Sequence, residues 1–292
     1  MFTFNILTTA MIRNDVHKKG ILNFMNLISE SENLLKVSNI NLMINLDIMN
    51  INTSDEIDFV KKSLLYFQND KIKIYISESK NPCFHKAFKR VFINTNTIIN
   101  TEKNNIFMWL EDDWFISEPH LKNIFVPNLI KFSNEKDIEF LLCFSKHPQG
   151  PPYCFKKNFF NNIIFVIKNK IKEYSSKTGN DPERIMQLVY FTLCKTLKSR
   201  KIGSCDYSKF PHLKNKPIPK NLLKIQNAHP HIFKDCGDKW KDENNLKKWN
   251  KGQKNGLCCH KKNIIVFKDN YNNTNFIFKW SNGCTTYICR YK

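Results

Sequence analysis

Three acids in a row, Glu111, Asp112 and Asp113, follow the apolar run Asn105-Ile106-Phe107-Met108-Trp109-Leu110, and Trp114-Phe115-Ile116 closes the segment behind them. Adjacent carboxylates repel one another, so a counter-cation is their natural companion. Hard oxygen donors of this kind suit Mg²⁺ or Mn²⁺. A divalent ion held there would clamp a diphosphate and act as Lewis acid for a departing nucleoside diphosphate. The competing reading is an acidic loop or the start of a helix, because acids favour a helix N-terminus.

Such acids need a scaffold. The apolar run before them reads as a strand buried on both faces, as in a parallel sheet covered by helices. Carboxylates where such a strand ends lie at the carboxyl edge of the sheet, where open α/β sheets bind ligands. The chain upstream supplies the neighbours. Phe2 to Leu7 is a first strand that breaks at Thr8-Thr9, and a periodic helix follows over Val16 to Asn33, with Ile21, Phe24, Met25, Leu27 and Ile28 on one face. Ile40 to Ile48 is a second strand. A helix opens at Ser54, with early acids, and runs to Phe67. Lys71 to Ile76 alternates as a third strand, Ser77 to Pro82 is a loop, and Ala87, Val91 and Phe92 mark the next helix. Four strand–helix alternations point to an α/β protein with a doubly wound, mostly parallel sheet and helices on both faces.

Beyond the acids the spacing predicts a helix over Pro119 to Phe132 and a strand over Ile138 to Phe144. His147 to Tyr153, with three prolines and a glycine, is a loop. Asn158 to Lys172 is apolar but irregular. A helix opens at Gly179-Asn180-Asp181-Pro182-Glu183. A lysine- and proline-rich connection over Phe210 to Pro219 leads to Ala228 to Trp240, which concentrates His, Asp and Trp. The tail from Asn263 to Tyr291 reads as two or three short antiparallel strands.

A chain of 292 residues buries a sizeable core, and 41% hydrophobic content argues against disorder. The formal charge of +20 comes almost wholly from lysine, since arginine occurs only at positions 13, 90, 184, 200 and 290. Nucleic-acid readers favour Arg for bidentate and stacked contacts, so a solvated lysine surface explains the charge as well as a phosphate-seeking one. Ten cysteines are scattered without any C-x-x-C pair, which fits reduced, packed thiols. Cys258-Cys259-His260 with Cys284 and Cys289 is the one weak candidate for a metal knuckle. No stretch reaches the length of a membrane span and no signal-peptide pattern opens the chain, so a soluble, cytoplasmic product is expected.

Glu111-Asp112-Asp113, after an apolar strand in the fourth strand–helix unit, resembles the D-x-D motif of GT-A-type nucleotide-sugar glycosyltransferases. The surroundings Asn81-Pro82-Cys83-Phe84-His85-Lys86-Ala87-Phe88-Lys89 and then Trp109-Leu110-Glu111-Asp112-Asp113-Trp114 are similar to glycosyltransferases of large DNA viruses and some bacteria. His229-Pro230…Phe233-x-Asp235-x-Gly237-Asp238-x-x-Trp240 resembles their later region. The resemblance implies a GT-A-like catalytic domain over 1–250, with a nucleotide-binding half to about 116 and an acceptor half over 117–250, followed by a β-rich extension over 251–292. It implies a hexosyltransferase-like enzyme that moves a sugar from a UDP- or GDP-sugar to a hydroxyl acceptor on a glycan or glycoprotein.

Carried over by motif position, Asp113 ligates Mn²⁺ or Mg²⁺, while Glu111 and Asp112 hold the metal, its waters or the ribose. Thr8, Thr9 and Asp47, at the ends of the first two strands, hold the nucleotide base, and Arg13 touches phosphate. Ordinary strand-end turns account for the same residues. Lys86, Lys89 and Arg90 read as the wet side of a helix, with phosphate contact as the alternative. Asp181 or Glu183 is the candidate base for the acceptor hydroxyl, and helix capping is the other reading. His229 or His231 is the candidate late metal ligand, against a plain surface histidine beside proline. Two other classes stand beside this one: a catalytically silent GT-A-like binding protein, and a basic nucleic-acid-binding protein. Against the latter, the sequence has no RNP-like, finger or basic-helix motif.

Overall fold

The computed structural model describes residues 1–12, 18, 20–48, 52–80, 84–99, 104–136, 138–143 and 152–169, the helical residues 186 and 189, and the strands 198–201, 233–235, 264–268, 275–280 and 287–291. Its main sheet has seven strands: β1 (Phe2–Met11), β2 (Ser38–Asp47), β3 (Ile72–Ser79), β4 (Asn105–Trp109), β6 (Ile138–Leu142), β7 (Tyr153–Lys156) and β8 (Lys198–Lys201). They lie in the order β3-β2-β1-β4-β7-β6-β8. Only β7 runs against its neighbours β4 and β6; every other pairing is parallel. The chain winds outward from β1 to β3, then returns to place β4 on the other side of β1. Strand order therefore reverses between β1 and β4. β5 (Trp114–Ile116) pairs with β9 (Phe233–Asp235), and β10 (Ile264–Lys268), β11 (Asn275–Trp280) and β12 (Tyr287–Tyr291) form an antiparallel sheet of their own. This is the mostly parallel α/β class, with helices on both faces of the sheet, expected from the sequence.

Alternation along the strands sends side chains into two cores. On one face Phe4, Ile6, Leu42, Ile44, Ile106 and Met108 meet α1 (Ile21–Ser29), α2 (Glu32–Val37), α3 (Ser54–Leu65) and α5 (Val126–Asn134). On the other, Leu7, Met43, Phe107 and Trp109 meet α4 (Phe84–Ile98) and α6 (Lys157–Asn169). The second core is aromatic: Phe107 stacks on Phe160 at 4.1 Å, and Phe88 lies edge-on to Trp109 at 5.3 Å. Each such ring contributes roughly 1.5–3 kcal/mol by burial alone. Towards the amino end of the sheet this face carries three asparagines. Asn41 Nδ2 donates to Asn5 Oδ1 at 2.8 Å, and Asn5 Nδ2 donates to Asn105 Oδ1 at 3.1 Å.

Several elements depart from expectation. β1 does not break at Thr8-Thr9 but continues to Met11, because those β-branched residues stay in register with Ile44 and Asn45 of β2. The first helix is two: α1 ends at Ser29 and α2 begins at Glu32, with Ser31 buried between them. The cap of α3 is Thr53 rather than Ser54, in a reciprocal box with Glu56. Ser77 and Ser79 belong to β3 rather than to a loop. The helix expected from Pro119 is a turn at Glu118–His120, a π-helical segment at Leu121–Phe125, and then α5. Pro127, in the first turn of α5, has no N–H to give to the preceding turn, and the widened segment lies just before it. Lys157–Asn169 is a regular helix, not an irregular stretch, and Tyr153 opens a strand rather than closing a loop.

Candidate active site

β4 ends at Trp109, and Leu110 N–H still donates to Leu7 O at 3.0 Å, so the ladder with β1 holds up to the first acid. Glu111 then leaves the strand, Trp114 N–H closes back on Glu111 O, and β5 begins. Asp112 and Asp113 sit in this turn, only 3% and 2% exposed. They stand at the carboxyl ends of β1 and β4, where strand order reverses, which is the position at which open α/β sheets hold their ligands.

The turn is held from outside by α1. Ile21 N–H donates to Asp112 O at 2.9 Å, and Asn23 Nδ2 donates to Ile116 O at 2.9 Å, so the helix grips both ends of the acidic segment. The opening residue of α1 is Gly20, which offers no side-chain cap. The amino end of the helix thus faces the backbone of the two buried acids.

A second polar group lies on the α4 face. Register sets Thr9, Asn45 and Ser77 in one row across β1, β2 and β3, and Met11, Asp47 and Ser79 in the next comparable row towards the edge. Asn45 Oδ1 accepts from Arg90 Nη1 at 2.6 Å and from Ser77 Oγ at 3.2 Å. Asn45 Nδ2 donates to Asp47 Oδ1 at 2.9 Å. A cation is thereby linked through one buried amide to a carboxylate that is 1% exposed. Arg90 accordingly turns to the sheet and is not on the wet side of α4, whereas Lys86 is exposed. Thr8 is fully buried on the opposite face, and its Oγ1 has no hydrogen-bond partner among the described residues. A water or ligand at the edge would satisfy such a group.

Thr8, Thr9, Asp47, Glu111, Asp112 and Asp113 therefore gather at the carboxyl edge of three neighbouring strands. Arg13, Asp181, Glu183, His229 and His231 lie outside the described residues, as do Cys258, Cys259, His260 and Cys284. Met186 and Val189, in the helix expected after Pro182, are buried in the aromatic core. Arg90 was legible only as the alternative to a wet helix face, and Asn45, Ser77 and Gly20 were not legible as site residues. Nor was the pairing of β5 with β9, whose register sets Asp235 abreast of Trp114, one residue past Asp113. That pairing brings Phe233–Asp235 of the later segment beside the acidic turn.

Among the described residues, no group of three or more His, Cys, Asp or Glu side chains could hold a metal ion. Two adjacent carboxylates nonetheless fit Mg²⁺ or Mn²⁺ of the kind shared with substrate phosphates, which takes one or two protein carboxylates and not a closed cage. Away from the edge, Cys143 and Cys154 are free and buried, and burial pushes the Cys154 thiol up, so it is inert. No helix among the described residues is long and apolar enough to cross a membrane.

No protein-family model and no curated protein matches the chain. Among solved structures it is similar to a glycosyltransferase involved in the glycosylation of the major capsid of PBCV-1, at 12% identity and a TM-score of 0.40, over 85% of this chain and 99% of that one. It is also similar to mouse xyloside xylosyltransferase 1 in its apo form, at 9% identity and a TM-score of 0.32, over 69% of this chain and 84% of the other. Both neighbours are glycosyltransferases; the fold itself rests on the strand order and register above.

Proposed function

We propose that the chain is a metal-dependent glycosyltransferase that moves a sugar from a nucleotide-diphosphate sugar, UDP- or GDP-linked, to a hydroxyl on a glycan or glycoprotein. One observation carries this reading: two consecutive carboxylates, Asp112 and Asp113, are buried at the carboxyl ends of β1 and β4 where the strand order reverses. Asp113 and Glu111 are the residues to hold Mn²⁺ or Mg²⁺, with His229 as a later ligand. When bound, the ion supplies positive charge against a diphosphate leaving group.

The chain's own residues do the rest. Asp47, oriented by Asn45, accepts hydrogen bonds from the base or ribose; Thr9 lies beside it on the same face, and Thr8 offers its unpartnered Oγ1 from the other. Arg13, just beyond β1 in sequence, is the residue assigned to the phosphates. In the transfer, an acceptor oxygen bonds to the anomeric carbon as the bond from that carbon to the phosphate oxygen breaks, and the nucleoside diphosphate leaves with the electron pair. Asp181 or Glu183 takes the acceptor proton.

The test is a panel of UDP-, GDP-, CMP- and dTDP-sugars, with and without Mn²⁺, read by thermal stabilisation and slow donor hydrolysis. The wild type is expected to be stabilised by one nucleotide class only when metal is present. Asp113→Asn, which keeps the shape and removes the charge, is expected to abolish that response while the ligand-free melt stays close to wild type. Undiminished metal-dependent turnover in the variant would remove the acids from the mechanism.

A further inference from the structure

A β-carbon built on Gly20 would stand 1.9 Å from Asp112 O, 2.8 Å from its carbonyl carbon and 3.1 Å from Asp113 Cα. No side chain fits there without moving the backbone of both acids. The φ of Gly20 is −89°, so the objection to alanine is contact and not a left-handed backbone. Because this residue is bare, the first amide of α1 reaches Asp112 O, while Asn23 ties the far end of the turn to the same helix. We propose that Gly20 is a positioning residue, and that the seat of α1 on the Asp112–Asp113 backbone sets where the two carboxylates stand. Its consequence for metal and donor rests on the reading of Asp113 as a ligand, but the seat itself does not.

The experiment compares the full-length wild type, Gly20→Ala and Asp113→Asn. Mn²⁺ affinity is read from the free-ion paramagnetic resonance signal in the presence of UDP. Hydrogen exchange is followed over residues 110–116 and, as control, over 72–79, and a thermal melt checks folding. Gly20→Ala is expected to melt cooperatively, to lose Mn²⁺ affinity at least tenfold, and to exchange faster over 110–116 but not over 72–79. Millimolar Mn²⁺ should restore UDP binding to Gly20→Ala, whose ligands are displaced, and not to Asp113→Asn, whose ligand is gone. A merely structural glycine would not separate the two variants in this way.

Wild-type Mn²⁺ affinity and unchanged exchange in Gly20→Ala would overturn the proposal. If the wild type binds no Mn²⁺ with UDP or with GDP, the metal reading fails, and exchange over 110–116 alone decides the seat. If Gly20→Ala does not fold, Asn23→Ala carries the test. That variant removes one tie without adding atoms and is expected to lose a smaller factor in affinity, with faster exchange over 110–116. No change in either measurement sinks the idea.

Discussion

At the scale of single residues, Asn45 is held at both ends of its side-chain amide. Its carbonyl oxygen serves two donors and its amide serves Asp47. Asn45→Ala would strip a half-buried guanidinium and a buried carboxylate of their shared partner at once. A loss of about 1–3 kcal/mol is expected in urea melts. Ser77→Ala should cost less, because Asn45 keeps Arg90. Asp47 was placed beforehand at the end of the second strand and Thr9 near the end of the first, while a role towards a nucleotide was implied by the resemblance alone. Asn45 and Ser77 were not, since a row across three strands exists only once register is known. Gly20 was hidden for the opposite reason: one sequence gives no sign of what a missing side chain makes room for.

At the scale of elements, β6 shows how burial couples to pH. Ile138 pairs with Lys198 and Phe140 with Ser199, so the ladder skips Glu139. Burial raises the Glu139 pKa, and Lys156 and a hydrogen bond with Asn158 pull it only partly back. Between the ordinary carboxylate pKa and this raised value, the folded state keeps a proton that the unfolded chain has lost. Stability from this group therefore falls as pH rises through that window. Glu139→Gln is expected to melt slightly higher than wild type at neutral pH, and the gain should vanish below about pH 4. A gain that persists in acid would assign the effect to packing.

The elements that escaped the sequence share physical causes. α6 buries Phe159, Phe160, Ile163, Ile164, Val166 and Ile167, a stripe so wide that neighbouring positions are both apolar and no period stands out. β7 has four residues and follows a proline-rich segment, so its turn chemistry outweighed its strand pattern. By contrast, the existence of β1, β2 and β4 was plain from runs of apolar, branched and aromatic residues, and that of α4 from the spacing of Ala87, Val91 and Phe92.

At the scale of the whole molecule, the chain carries a formal charge of +20 while one sheet edge gathers acids. A net positive charge favours the approach of an anion such as the proposed diphosphate donor, even though the local carboxylates oppose it. The association rate of the donor is expected to fall roughly tenfold between 0.05 and 0.5 M NaCl, with dissociation little changed, in stopped-flow tryptophan fluorescence. A salt-insensitive rate would leave the lysines as plain solvation.

The same sheet also contains a safeguard at its far end. If β1 slid by two residues against β2 and β4, every apolar side chain would keep its face, so oil and water alone would hardly notice the error. Asn5 would, because Asn41 and Asn105 would no longer meet it and buried amides would be stranded. Such a slip would shear Thr9 from Asp47 and Glu111 by about 7 Å. The three amides thus act as a key that admits one alignment, and the edge where the acids stand inherits its accuracy from them.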